Sequence, residues 1–240
     1  MQIVQYNTNI IEEYIALDEL LLKKAEKGEI GETIRFWRSS EYCVVVGRSV
    51  KVLEDCFFKR CNKDNIKVIR RISGGRTILQ GVGCFNYSVI LSYKRSIKLK
   101  NIQYSFNYIL DRISKKINNF GFNTKVLPIS DISIDNKKFS GNAQARKHNF
   151  FLQHGTFLYN FDLEKVSLYL KHPPIEPDYR KNRQHEKFLT NISLTDKKIQ
   201  DIILEIFPYN NVYFLNNRDL KELKRSVYLK YNKKKWNYMF

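Results

Sequence analysis

Three short segments carry residue types suited to an anionic or acyl substrate. The first is Arg70–Thr77, RRISGGRT. Glycines let backbone N–H groups close on an anion, and neighbouring cations strengthen the binding. Ser73 can donate to a phosphate or carboxylate, while Arg71 or Arg76 can pair with one through two nitrogens. The GxxxxGK[ST] spacing of a Walker loop is absent, and no long helix follows as in a dinucleotide fingerprint. A plain glycine-rich hairpin with exposed arginines fits the same residues. Local chemistry does not choose between the two.

The second segment is Asp135–Gln144, DNKKFSGNAQ. On a strand, alternation sends Lys138, Ser140 and Asn142 to one face and Phe139 and Gly141 to the other. That polar triplet suits a site, although a lysine on a solvated strand face would look the same. The third is Gln153–Thr156, QHGT, inside an aromatic-rich strand. A lone histidine there is more often a satisfied core residue. Gly155 beside it points to close approach by a backbone or ligand.

These segments need a scaffold. Apolar residues from Ile10 to Leu22 mark a helix over about 10–27, capped by Asn7, Thr8 or Asn9 and ended by Gly28 and Gly31. Strands are expected at 33–38, 41–47, 67–71, 85–92, 132–135, 138–143 and 150–160, and helices at 53–65, 102–119, 192–207 and 217–230. His172–Asp178 holds three prolines and reads as an irregular loop over a site. Strands and helices interleave without strict βαβ order, and short turns join several strands. The expected fold class is therefore α+β, a mixed, mostly antiparallel sheet flanked by helices.

Composition narrows the function. With 43% hydrophobic and 14% aromatic residues the 240-residue chain can bury a core, which excludes wholesale disorder. No apolar run approaches a membrane span, and Glu12, Glu13, Asp18 and Glu19 interrupt any signal-like stretch, so a cytoplasmic protein is expected. The net charge of +18 favours polyanions or acidic proteins as partners. Nucleic acid is the less expected partner, because no helix-turn-helix, zinc or RNP pattern accompanies the charge. Cys43, Cys56, Cys61 and Cys84 form no CxxC pair and are expected to be reduced thiols.

Taken together and in order, RRISGG, KKFSGNAQ and FLQHGTFLYN resemble the lipoate–protein ligase family, within the biotin/lipoyl protein ligase and octanoyltransferase superfamily. Its pattern is RRxSGGGAV with HD soon after, then K-[IVF]-[SA]-G-x-A, then HGT-[LF]-L. The segments at 16–22, 37–49, 130–132 and 230–238 are similar to other parts of the family, so the resemblance spans nearly the whole chain.

That resemblance implies a class II synthetase-like catalytic domain over 1–240, without a C-terminal accessory domain. It implies activation of lipoate by ATP and Mg2+ to lipoyl-AMP, then transfer to a lysine of a lipoyl domain of a 2-oxoacid dehydrogenase acyltransferase subunit or of glycine-cleavage H protein. An accessory subunit is a further possible partner. Lys138 would be the catalytic cation, and Arg71, Ser73, Gly74, Gly75, Arg76 and Thr77 would wrap the acyl-adenylate. Gly141, Asn142, Ala143, His154 and Gly155 would line its pocket. Asp131 would lie near the magnesium, and Trp37, Val45 and Phe85 are candidates for the acyl slot.

Departures open an alternative. The third glycine of SGGG is Arg76, the His-Asp pair is Gln80-Gly81, and the Asn of the Asn-Asp pair is Ser130. The alternative is an octanoyl or lipoyl transferase that takes its acyl group from a carrier without ATP. One branch of such enzymes carries a cysteine just before the strand leading to the lysine, and 125–132 has none. Cys84 would be the alternative nucleophile, if Arg71 and Arg76 lowered its pKa. The stretch 177–191, with Arg180, Arg183 and His185, would serve as a lid over phosphates or a carrier-docking surface.

Overall fold

Side chains along Cys84–Ser92 alternate between two buried layers, and this strand organises the molecule. Phe85, Tyr87, Val89 and Leu91 enter one core, whereas Ile90 enters another. The computed structural model describes residues 1–128 and 130–240. Its elements in chain order begin with β1 (Gln2–Gln5), α1 (Ile11–Glu26), β2 (Thr33–Trp37), β3 (Cys43–Val46), α2 (Val52–Asp55) and α3 (Phe58–Lys63). Next come β4 (Lys67–Arg70), β5 (Ile78–Gln80), β6 (Cys84–Ser92), α4 (Ile102–Asn118), β7 (Thr124–Leu127) and β8 (Asp131–Ile134). Then follow β9 (Lys137–Arg146), β10 (Phe150–Leu158), α5 (Glu164–Tyr169), α6 (His185–Phe188), α7 (Asp196–Ile206), β11 (Asn211–Phe214) and α8 (Asn217–Ser226).

The large sheet runs β11-β1-β2-β6-β10-β9-β8-β7, and a smaller one runs β4-β3-β5. β1 pairs in parallel with β11 and β2, while the other neighbours in the large sheet are antiparallel. The expected α+β class with a mixed, mostly antiparallel sheet is the observed one. Beyond the expectation, the strands divide between two sheets, and the site lies between them.

Helices cover both faces. On one, α4 buries Phe106, Ile109, Leu110, Ile113 and Ile117, at the i, i+3, i+4 spacing of an amphipathic helix. Each such side chain contributes about 1.5–3 kcal/mol. On the other, α1 is so enclosed that Glu13, Asp18 and Lys24 are buried, and each has partners. Its expected side-chain cap is absent: Ile10 occupies the capping position, and Thr8 instead bonds the Ile10 amide and Glu13. The single helix expected at 53–65 is two, α2 and α3, because Cys56 and Phe57 leave the helix to pair with Leu170 and Tyr169.

The turn joining β8 to β9 places Asp135 and Asn136 at positive φ, as short Asx residues tolerate. Strict alternation fails just after it. Register shifts between Ile132 and Ser133, leaving Phe139 as an extra residue on β9. This bulge puts Lys138 beside Gly141 and Asp131, so Ser140 and Asn142 share a side, with Asn142 Nδ2 donating to Ser140 Oγ at 3.3 Å, but the expected third member Lys138 does not join them.

Candidate active site

A cavity of about 730 Å3 lies between the C-terminal half of β10, the start of β9 and the glycine loop after β4. Arg71, Gly75, Arg76, Thr77, Asp131, Lys138, Gly141, Asn142, Ala143, His154 and Gly155 all line it. A smaller, apolar recess of about 150 Å3 adjoins it through Arg76, Thr77, Asp131, Lys138 and Gly141, walled by Phe139, Leu158, Phe161 and Phe188. Trp37 and Val45 face the main cavity, as an acyl slot requires. Phe85 does not: it stacks on Phe36 in the α4 core.

Lys138 Nζ is 2.7 Å from Asp131 Oδ1, and its side chain is 24% exposed. The other Asp131 oxygen accepts the Tyr179 hydroxyl at 2.6 Å. Burial, then the Asp131 charge, push the Tyr179 phenol well above its ordinary range, so it stays protonated and donates. Gly141 makes the lysine's place. A Cβ there would sit 2.7 Å from Lys138 Cε and 2.8 Å from Nζ.

The glycine loop is neither a hairpin with exposed arginines nor a set of free donors. Arg71 is buried; its Nη1 donates to Val45 O at 3.1 Å and its Nη2 to Gly74 O at 2.6 Å and Arg76 O at 2.8 Å. Burial, then neighbouring Arg70, bring its guanidinium down to about 10. Its cationic edge therefore shapes the loop. Gly75 takes φ +81°, and its carbonyl packs against Gly47 where a Cβ would collide at 1.9 Å. Arg76 pairs with buried Asp55, which also accepts from Thr77 N at 3.2 Å and Thr77 Oγ1 at 2.7 Å. The residue that replaces the family's third glycine is thus anchored on α2.

Two expected ligand contacts move. Ser73 is wholly buried behind Arg71 and His154 and does not face the main cavity. Gly74 opens onto a separate recess with Arg48 and Lys230. Gln80, where the family has histidine, forms a buried network with Asn86 and Thr156: Gln80 Nε2 donates to Asn86 Oδ1 at 2.8 Å and to Thr156 Oγ1 at 2.6 Å. These three residues line the cavity.

Asp131, expected near the magnesium, stands in the cavity wall beside Lys138. Lys138 meets one of its oxygens and Tyr179 the other, and among the described residues no group of three His, Cys, Asp or Glu side chains could hold a metal ion.

Cys84, the alternative nucleophile, is a small thiol at the start of β6. It is buried among Val44, Val46 and Phe161, away from both cavities. Burial pushes its thiol up to about 12, and neither Arg71 nor Arg76 offsets that. Arg180 and Arg183 are likewise not free to grip phosphates. Arg180 pairs with Glu176 at 3.2 Å, Arg183 donates to Asn136 O at 2.9 Å and Tyr179 O at 2.8 Å, and both lie over Phe188. They brace the segment that carries Tyr179.

Residues 11–205 match the model of the lipoyl protein ligase A/B catalytic domain. The chain belongs to that family. An octanoyltransferase LipM of Clostridioides difficile is 28% identical over 93% of each chain. Lipoate–protein ligase 1 of Staphylococcus aureus is 28% identical over 93% of this chain and 69% of its own. A probable lipoate-protein ligase A of Mycoplasma pneumoniae is 30% identical over 65% of this chain but 44% of its own length. Among solved structures, lipoate-protein ligase A bound with ATP superposes with TM-score 0.83 at 19% identity, covering 99% of this chain and 98% of that one. The Thermoplasma acidophilum bipartite lipoate protein ligase, studied with its E2 lipoyl domain, gives 0.82 at 18% identity, covering 99% and 95%. At such identities these two likenesses speak for the fold. The protein is an enzyme of the lipoate ligase and octanoyltransferase family.

Sequence reasoning missed Asp18, Asp55, Asn86 and Tyr179. Asp18 alone left a signal: a carboxylate on the apolar face of α1, among Tyr14, Leu17 and Leu21. Among the described residues no helix is long and apolar enough to cross a membrane.

Proposed function

We propose that the protein is a lipoate–protein ligase. It joins the lipoate carboxylate to ATP, forming lipoyl-AMP and releasing pyrophosphate. The ε-amine of a carrier lysine then attacks the acyl carbon, AMP leaves, and an amide forms. One observation carries the choice of ligase over transferase. All four cysteines are buried, and none lines the cavity, so no thiol can hold the acyl group as a thioester. An acyl group activated as a mixed anhydride needs no enzyme nucleophile.

Within this reading Lys138 neutralises charge on the α-phosphate and acyl oxygen as it develops in both half-reactions. The lysine leaves Asp131 for the phosphate when the nucleotide binds. The magnesium ion enters with the ATP phosphates as part of the substrate. The apolar wall of Trp37 and Val45 takes the acyl tail. A lipoyl domain or H protein, acidic on its surface, would be drawn by the +18 charge.

The match to an octanoyltransferase along 93% of both chains favours a second reading, carrier-to-carrier acyl transfer without ATP. Intact-mass spectrometry of an apo lipoyl domain separates the two. One tube holds lipoate, ATP and Mg2+; the other holds octanoyl-acyl carrier protein without nucleotide. A lipoyl mass shift in the first alone is the expected result. An octanoyl shift in the second alone overturns the ligase reading.

A further inference from the structure

Six polar side chains from four separate elements and the glycine loop form one chain of hydrogen bonds and ion pairs behind the cavity. Arg71 Nε donates to Ser73 Oγ at 2.9 Å, and Ser73 Oγ lies 2.6 Å from His154 Nε2. His154 Nδ1 lies 2.7 Å from Asp18 Oδ2, and Arg35 Nη1 lies 3.1 Å from Asp18 Oδ1. Ser88 donates to the same Oδ1 at 2.8 Å.

The ends of the chain fix the direction of every proton. Arginine only donates and a carboxylate only accepts. Ser73 Oγ therefore receives the Arg71 proton and passes its own to Nε2. In the neutral ring the imidazole proton then sits on Nδ1, pointing at Asp18.

Serine, histidine and aspartate in this order have the connectivity of a nucleophilic triad. Accessibility decides against that use. Ser73 is 0% exposed, and Arg71, Gly75 and His154 stand between it and the substrate space. The oxygen that would have to attack is instead the hinge pin of the loop, because the arginine it accepts from also holds the Gly74 and Arg76 carbonyls.

We infer that Asp18 is a positioning residue: through His154 and Ser73 it fixes the glycine loop and the histidine ring in the shape that receives the acyl-adenylate. The assignment rests on the ligase reading for its substrate, but the linkage itself does not. Arg35 completes the device. It is 2% exposed, with Tyr14 and Trp37 rings 5.9 Å and 5.8 Å from its guanidinium carbon, and it neutralises Asp18 where water cannot. Asp18 and Arg35 thus act on the substrate site without lining it.

Nitrogen NMR of the histidine rings tests the linkage with no substrate present. The chain has four histidines, and a His154→Gln variant identifies the relevant signals. Wild type should show a fixed Nδ1–H tautomer for His154, and Asp18→Asn should lose it. In the ligation assay the same variant should raise KM for lipoate about 10–100-fold, the effect of one buried polar group left unpaired, with a smaller change in kcat. A folded Asp18→Asn protein with wild-type His154 signals and unchanged KM overturns the proposal. So does an acyl adduct on Ser73 after incubation with an octanoyl donor, which would make the serine a nucleophile. If Asp18→Asn alone does not fold, Asp18→Asn/Arg35→Met removes both buried charges and gives the same readouts. Should the wild type ligate nothing, the ligase reading fails, while the NMR result still decides the linkage.

Discussion

Lys138 and Asp131 form a 2.7 Å ion pair across a β-bulge, and Tyr179 closes the pair from the opposite side. The aspartate therefore holds the lysine in place and balances its charge. Under the proposed ligase reading an incoming phosphate would compete for it, with the aspartate keeping its tyrosine hydrogen bond.

Replacing Lys138 by Ala should lower kcat/KM for lipoyl transfer at least about 10²–10³-fold, the cost of removing one preorganised stabiliser of developing charge. The thermal midpoint should hardly move, because the lysine is partly exposed and its ion pair contributes little to folding. Steady-state kinetics with an apo lipoyl domain reads the first quantity and calorimetry the second. Near-native rates would remove Lys138 from the mechanism.

Gly141→Ala is a gentler probe of the same place. The added methyl meets the flexible end of Lys138, at 2.7 Å from Cε, rather than backbone. The lysine must shift, so activity should fall about tenfold or more while stability changes by under about 1 kcal/mol. An active variant with wild-type kinetics would mean that the lysine position seen here is not the working one.

How much of this was legible in the sequence depends on how local each relationship is. The glycine loop, the lysine and the histidine announce themselves because each sits in a short run with unusual composition. Asp18 shows only as a carboxylate on an apolar helix face, because its partners Arg35, Ser88 and His154 come from three different strands. Asp55 was hidden for the same reason: it meets Arg76 only once α2 packs on the loop. The facing of Lys138 was misread because alternation assumes an unbroken strand, and a bulge leaves no signature in composition. β1, β7 and β11 span four residues each, too short to show a period.

The cysteines give a prediction that separates ligase from covalent transferase. Burial raises the Cys84 and Cys56 thiols to about 12 and Cys43 further still. At about pH 8 the folded protein should react negligibly with a thiol-specific disulfide reagent, and four thiols should titrate after unfolding. Cys84→Ala should leave lipoyl transfer unchanged. Its loss together with rapid labelling of the folded protein would bring a cysteine nucleophile back.

Acid stability should reflect the carboxylates of α1. Burial alone would raise Glu19, but hydrogen bonds from Lys230, Lys23 and Tyr231 outweigh it and hold the carboxyl at about 2, against an ordinary 4.5. Asp18 shifts the same way: burial opposes ionisation, and the Arg35 charge and the His154 hydrogen bond overcome it. A carboxyl whose folded pKa is depressed stabilises the protein above its unfolded pKa, and that stabilisation drains away as pH falls through the window. The urea midpoint should therefore drop between about pH 5 and pH 3. Glu19→Gln should cost about 1–3 kcal/mol near neutrality, where it removes a charge facing Lys230, Lys23 and the buried Tyr231, and less at pH 3, where the wild-type contribution is already fading. A wild-type midpoint that stays flat across this range would show that these carboxylates are not held in the ionised form by their cationic neighbours.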